Sequence, residues 1–166
     1  MRLNCDPGGL LYLVGAGLVV VFDQLTKQLA VDRLGLSEVH TVVPGINLVL
    51  VLNQGAAFGF LADSGGWQRW FFVIVGIAIS ILIMISLLRK NPDSALCKLG
   101  LALILGGAVG NIIDRVSRGY VIDYVDLHWR AWHWPAFNVA DLAISIGALV
   151  VLFGLFRSTR TALGPH

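Results

Sequence analysis

Charge and cysteine are both scarce in this chain. Only 13% of its 166 residues are Asp, Glu, Lys or Arg, whereas 57% are hydrophobic. A water-soluble fold of this size cannot bury so much apolar surface, so the composition indicates a membrane protein. The net charge is only +2 and the basic residues are scattered, which argues against a nucleic acid partner. The two cysteines, Cys5 and Cys97, form no CxxC pattern and cannot make a disulfide framework.

The familiar signatures of nucleophilic and metal hydrolysis are also missing. No GxSxG, SxxK or HExxH motif occurs in the sequence. His40, His128 and His133 have no helical or zinc-ligand spacing, so we expect no metal and no other cofactor. The residues that remain available for chemistry are acids and amides.

Long apolar segments make up most of the chain. Two shorter segments, 46–53 and 120–129, are rich in Val, Ile, Leu and Tyr, which favours short strands. The third apolar segment carries Gly106 and Gly110, a small-residue pair that would let its helix pack closely. A spanning helix needs about 20 apolar residues, and four segments qualify, near 9–31, 67–88, 96–113 and 137–156. We therefore predict one α-helical integral membrane domain, 1–166, with four transmembrane helices and a small extracytoplasmic β-platform.

Four spans place both termini on one side of the membrane and segments 32–66 and 114–136 on the other. Lys and Arg divide evenly between the two sides, but three of them crowd the short link at 89–98. This favours a cytoplasmic link and cytoplasmic termini. All five tryptophans then lie on the outer side, where they suit an interfacial aromatic belt.

The polar residues of the spans gather at this outer side. About 20 Å of apolar helix, from Leu10 to Phe22, precedes Asp23, and about 22 Å follows Asp141. These two carboxylates therefore lie at a similar depth. Because a charge inside the bilayer costs about 3 kcal/mol or more, they need polar partners. The ionisable and amide residues in or beside the spans are Asp23, Lys27, Asn53, Asn111, Asp114, Arg115, Asp123, Asn138 and Asp141.

Two pairs among these residues also have a purely structural interpretation. Asp23 and Lys27 are four residues apart, so they could form an ion pair on one helical face. Asp114 and Arg115 could be a solvated pair at the end of a helix. Neither pair alone indicates a function.

Of the two aspartates nearer the C-terminus, Asp141 also has a structural interpretation, whereas Asp123 has none. Asn138 could be a helix N-cap with Asp141 in the first turn, where the helix dipole favours an acid. Asp123 has no such explanation, because in a strand it shares a face with Val121 and Val125. An acid at that position is costly unless a polar group meets it.

Asp123 and Asp141 could act together on a peptide bond. Two neighbouring carboxylates do not both ionise cheaply, so one keeps a proton. The ionised member can then activate water while the protonated member supports the oxyanion and protonates the leaving amine. Two other classes stay open at this point: a proton-coupled transporter or channel subunit, and a scaffold without chemistry. A transporter should carry polar groups through both membrane halves, yet the inner halves are almost purely apolar.

Five motifs, in order along nearly the whole chain, resemble those of the lipoprotein signal peptidases, or signal peptidase II, the aspartyl peptidases of the bacterial inner membrane. They are DQLTK (23–27), NQGAAF (53–58), GNIIDR (110–115), VIDY (121–124) and PAFNVAD (135–141). The fourth motif often has Phe after its aspartate, where Tyr124 stands here.

The resemblance implies a role for each matched position. It implies a catalytic dyad of Asp123 and Asp141. The positions that it implies to contact substrate or peptide-like antibiotic inhibitors such as globomycin are Asn53, Asn111, Arg115 and Asn138. The positions that it implies to be supporting or structural are Asp23, Lys27, Gly55 and Asp114.

The resemblance also implies a substrate and a location. The substrates are prolipoproteins whose lipobox cysteine carries a diacylglyceryl group, and cleavage occurs just before that cysteine. We accordingly expect a multi-pass inner-membrane protein in contact with membrane lipid. Its termini would be cytoplasmic, and its active site, β-platform and a loop or helix would be periplasmic. We expect it to be a monomer.

Overall fold

The computed structural model describes residues 8–36, 38–55, 65–89 and 95–162. Cys5 and residues 56–58 of the second motif lie outside these ranges. The elements in chain order are α1 (Gly9–Arg33), β1 (Val39–Val43), β2 (Ile46–Asn53), α2 (Trp67–Leu88), α3 (Ala95–Ser117), β3 (Val121–Trp129), β4 (Trp132–His133) and α4 (Val139–Ala162).

Four of these elements are helices long and apolar enough to cross a membrane. Their outer surfaces are apolar: Leu18, Leu82 and Leu149 are each about two-thirds exposed. Such exposure is costly in water but not in lipid, where the helix satisfies its own backbone hydrogen bonds. Half of the spanning part of α3 is buried, against 17–22% for the other three helices. Therefore α3 is the central helix, and the others pack around it.

Glycines allow α3 to approach its neighbours closely. A Cβ atom on Gly100 would lie 2.6 Å from the carbonyl oxygen of Gly147, and one on Gly147 would lie 2.6 Å from that of Gly100. The backbones of α3 and α4 are therefore in direct contact. Gly106 lies in the same way against α1, and Gly110 lies against a carboxylate of α1. The close packing expected at Gly106 and Gly110 is confirmed.

A four-stranded antiparallel sheet in the order β1-β2-β3-β4 lies at one end of the helix bundle. It packs on the end of α1, where Ile122 and Tyr124 of β3 form a buried cluster with Ala30. Phe137 and Val125 exchange backbone hydrogen bonds, which tie the start of α4 to the sheet. The end of the bundle that carries the sheet is called the sheet end below.

The predicted architecture of four spanning helices and a small sheet is confirmed. The segments predicted as strands are β2 and β3, which pair with each other. Strands β1 and β4 were not predicted. The third helix runs to Ser117, beyond the end predicted at residue 113, and Asp114 in its last turn is buried against Lys27 of α1.

Candidate active site

A cavity of about 480 Å³ opens at the sheet end, between the sheet and the helices α3 and α4. Asp123 reaches it from β3 and Asp141 from the first turn of α4. The structure thus brings together two carboxylates that are 18 residues apart in sequence and belong to different layers of the fold. The other predicted site residues that line this cavity are Asn53, Gly55, Asn111 and Arg115.

Asp123 is buried and bound by two amides. Its residue exposure is only 2%. Asn53 Nδ2 donates to Asp123 Oδ2 at 2.9 Å, and Asn138 Nδ2 donates to Asp123 Oδ1 at 2.7 Å. Burial, and next the charge of Asp141, raise the pKa of Asp123 to about 7, although both amide hydrogen bonds oppose the rise. The carboxyl group of Asp123 can therefore hold a proton near neutral pH.

Asp141 is fixed by its position in the helix and by Asn111. Asn138 precedes α4, and its Oδ1 accepts the backbone N–H of Asp141 at 2.9 Å. The predicted N-cap is confirmed, and the same amide serves the site, because its nitrogen donates to Asp123. Asn111 Nδ2 donates to Asp141 Oδ1 at 2.8 Å. Asn138 is therefore both the N-cap of α4 and a hydrogen-bond donor to Asp123.

Arg115 forms part of the cavity wall. Its Nη2 donates to the carbonyl oxygen of Gly55 at 3.2 Å, which connects α3 to the residues that follow β2. Its Cζ atom lies 5.0 Å from the centre of the Phe72 ring, within the range of a cation–π interaction. Its buried Nε has no hydrogen-bond partner among the residues that the structure describes. Arg115 thus places positive charge in the wall of the cavity that holds the two aspartates.

A buried ionic cluster lies directly behind the cavity. Lys27 Nζ is 2.8 Å from Asp23 Oδ2 and 2.8 Å from Asp114 Oδ2, and all three side chains are completely buried. The predicted ion pair between Asp23 and Lys27 is confirmed. Lys27 Nζ also donates to Asn111 Oδ1 at 3.0 Å. The ionic cluster is therefore in direct contact with an amide that binds Asp141.

The alternative of a solvated pair between Asp114 and Arg115 is wrong. Adjacent residues on a helix point in directions about 100° apart, so Asp114 faces α1 while Arg115 faces the cavity. Asp114 is completely buried, and Arg118 Nη1 donates to its Oδ1 at 2.6 Å. Its cationic partners are thus Lys27 and Arg118 rather than its neighbour in sequence.

The sequence reasoning missed two members of this cluster. Gln24 Nε2 lies 3.2 Å from both Asp23 Oδ2 and Asp114 Oδ1, and Gln24 Oε1 accepts a hydrogen bond from Arg118 at 3.2 Å. Arg118 could have been found, because it follows Asp114 by four residues, the same spacing that indicated the pair of Asp23 and Lys27. Gln24 carries no signal beyond its place in the first motif.

A second polar group, also missed, lies in the sheet away from the cavity. Asn47 Nδ2 donates to Asp126 Oδ2 at 2.9 Å, and His133 Nδ1 donates to Asp126 Oδ1 at 2.9 Å. Partial burial tends to raise the pKa of Asp126, but these hydrogen bonds outweigh it and hold the pKa below its usual range. Asp126 and Asp123 are therefore two carboxyls on one strand with pKa values shifted in opposite directions.

Comparison with known proteins identifies the family. The family model described as signal peptidase (SPase) II matches residues 15–157. The chain belongs to the signal peptidase II family. Lipoprotein signal peptidases from Paraburkholderia phymatum and Burkholderia mallei are 50% and 48% identical to it over 162 and 156 residues. These alignments cover 96% and 93% of this chain and 97% and 93% of the two relatives.

Solved structures agree with this assignment. One bacterial membrane enzyme is 30% identical with a TM-score of 0.81, covering 97% of this chain and 95% of its own. Another is 29% identical with a TM-score of 0.76, covering 93% and 97%. The chain is thus a multi-pass membrane peptidase of the signal peptidase II family, an aspartic peptidase that removes signal peptides from prolipoproteins. The resemblance found in the five motifs is confirmed.

Proposed function

We propose that this signal peptidase II cleaves diacylglyceryl-modified prolipoproteins immediately before the lipidated lipobox cysteine, with Asp123 and Asp141 activating water. The observation that carries the proposal is the presence of both carboxylates in one cavity, each held by an amide hydrogen bond. The cavity lies beside the ends of apolar helices, so lipid tails can stay among the helices while the peptide enters the polar end.

The proposed chemistry assigns a different role to each acid. Asp141, as the carboxylate, takes a proton from water, and the water oxygen attacks the scissile carbonyl carbon. Asp123 supplies its proton to the developing oxyanion, which suits a carboxyl with a pKa of about 7. When the C–N bond breaks, the oxyanion proton returns to Asp123 and the proton taken up by Asp141 passes to the leaving amine. The amine is the α-amino group of the lipidated cysteine, and both aspartates return to their starting states.

The remaining predicted residues would position the substrate. Asn53, Asn111 and Asn138 present amides around the dyad, and Arg115 presents a buried donor without a partner among the described residues. Such groups can align a peptide backbone for attack. Peptide-like inhibitors of the globomycin type would bind in the same cavity.

We further propose an inner-membrane location with cytoplasmic termini and a periplasmic cavity. The basic residues in the link between α2 and α3 support this orientation. We expect the enzyme to act as a monomer, because both aspartates and the amide and guanidinium groups around them come from one chain. Without a cofactor, the purified protein should be active on its own.

Cleavage of a diacylglyceryl-modified prolipoprotein by purified protein in detergent tests the proposal. Asp123→Asn and Asp141→Asn should each lower kcat by about 1000-fold or more, because each removes a proton-transfer group. Asp126→Asn is the matched control: it makes the same change on the strand of Asp123, outside the cavity, and should retain cleavage. Normal turnover by either dyad variant, with helical content unchanged, would remove that residue from the mechanism.

A further inference from the structure

We propose that Lys27 is a positioning residue that aligns both aspartates of the dyad through the three groups to which it donates. The inference rests on the proposed catalytic roles of Asp123 and Asp141. It goes beyond them because, within the described part of the chain, Lys27 lies outside the cavity lining and its ammonium group bonds to groups other than these two carboxylates.

Lys27 uses its full hydrogen-bonding capacity inside the protein. An ammonium group has three N–H donors and no acceptor. Lys27 Nζ uses them on Asp23 Oδ2, Asp114 Oδ2 and Asn111 Oδ1, at 2.8, 2.8 and 3.0 Å. Its side chain is completely buried, so water does not compete. Its three donors therefore have three fixed directions.

The contact with Lys27 also orients the amide of Asn111. An ammonium group can only donate, so the atom of Asn111 that faces Lys27 must be the oxygen. The Nδ2 group then faces Asp141 Oδ1, to which it donates at 2.8 Å. With the amide reversed, oxygen would face a carboxylate oxygen and the contact would become repulsive. Lys27, with a longer hydrogen bond from Asn138 Nδ2 at 3.4 Å, therefore selects the orientation of Asn111 that binds Asp141.

The two acids that accept from Lys27 also bind the backbone beside the dyad. Asp23 Oδ1 accepts the backbone N–H of Ala140 at 2.9 Å, and Ala140 directly precedes Asp141. Asp114 Oδ2 accepts the backbone N–H of Ile122 at 3.3 Å, and Ile122 directly precedes Asp123. Each acid thus holds the backbone N–H of the residue that precedes one member of the dyad. Both acids are held by the same ammonium group.

The formal charges of the buried ionic cluster balance. The cluster contains Lys27 and Arg118 as cations and Asp23 and Asp114 as anions. The bond from Lys27 to Asn111 is not needed for neutrality. Without it, Asn111 Oδ1 would keep only the longer hydrogen bond from Asn138 Nδ2, at 3.4 Å, within the described part of the chain.

Substitution of Lys27 must keep this charge balance, because an unpaired buried carboxylate can prevent folding. The variant to measure is Asp23→Asn/Lys27→Met, in which the new amide at position 23 still offers an oxygen to Ala140 while one anion and one cation are lost together. Its reference is the unmodified protein, because in Asp23→Asn alone the new amide nitrogen would face the ammonium group of Lys27, donor against donor. Relative to the unmodified protein we expect kcat to fall about 10- to 100-fold, the effect of losing a hydrogen bond to a charged group. KM should change less than about threefold, since the amide acts on the dyad.

A double-mutant cycle distinguishes positioning from general loss of structure. In the unmodified protein, Asn111→Ala should lower kcat about 10-fold or more. In Asp23→Asn/Lys27→Met it should lower kcat less than about threefold, because the amide of Asn111 has already lost its charged donor there. Asn53→Ala is the control. Asn53 donates to Asp123, and the hydrogen bond from the Ile122 N–H to Asp114 is kept in the double variant, so Asn53→Ala should lower kcat by a similar factor in both backgrounds.

Two results would overturn the inference. In one, Asn111→Ala lowers kcat by the same factor with and without Lys27. In the other, kcat is unchanged after the loss of Lys27. Neither result bears on the proposed function. That proposal fails instead if the unmodified protein leaves the prolipoprotein uncut or if Asp141→Asn cleaves normally. The two failures are therefore distinguishable in one set of assays.

Discussion

Replacing Asp123 with Asn should change how the stability of this protein depends on pH. In the unfolded chain this carboxyl ionises near its ordinary pKa of 3.8, whereas burial and the charge of Asp141 raise the folded pKa to about 7. The folded state therefore binds the proton more tightly. The stabilisation from this proton is complete below the unfolded pKa and is lost as pH rises through the folded pKa.

The size of the effect follows from the two pKa values. Between them the free energy of unfolding should fall by about 1.4 kcal/mol per pH unit, or roughly 4 kcal/mol in all. The Asp123→Asn variant lacks this term. The melting temperature of the variant minus that of the unmodified protein should therefore rise by roughly 8–16 °C between pH 4 and pH 8. This range assumes about 2–4 °C per kcal/mol for a chain of this length.

Thermal unfolding in detergent, followed by circular dichroism across this pH range, measures the difference. Asp126→Asn is the matched control of opposite sign. Its carboxyl has a lowered folded pKa, so its stabilisation is present above the unfolded pKa and is lost as pH falls. Asp126→Asn should therefore lower the free energy of unfolding most at high pH. If the melting temperatures of the unmodified protein and Asp123→Asn changed with pH in the same way, the reasoning would be refuted, because burial would then leave the pKa of Asp123 unchanged.

Two further predictions concern the pH profile and helix packing. The kcat/KM profile should fall above about pH 7 as Asp123 loses its proton, and Asn53→Ala should move this limb to higher pH, since the lost hydrogen bond favoured the ionised form. Asn47→Ala, in the same strand as Asn53 but bound to another carboxyl, should leave the limb in place. Gly100→Ala should destabilise the fold by about 1–3 kcal/mol, since its Cβ would meet backbone. Gly15→Ala, where the space is open, should have no such cost, as melting temperatures would show.

The helices could be predicted because lipid imposes length and composition on any segment that crosses it. The strands β2 and β3 were also predictable, because their β-branched residues stand between turn residues. Strand β1 was not: all of its residues are exposed, so no alternation of buried and exposed positions marks it. Strand β4 has only two residues and exists through its pairing with β3.

The polar residues of the site could be predicted as a set but not as a network. Depth in the membrane indicated that the acids need partners, and the resemblance named most of them. The pairing of Asp114 with Lys27 was not predictable, because it joins α1 to α3 across 87 positions of sequence. The position of Arg118 depends on a helix end that packing extends beyond the predicted boundary.

The two carboxylates come from different parts of the fold, Asp123 from the sheet and Asp141 from a helix that follows it along the chain. A partly assembled molecule therefore holds at most one of them in place. Proteolytic competence should arise only when the last helix docks against the sheet. During biogenesis, this arrangement would protect the membrane from an unfinished protease.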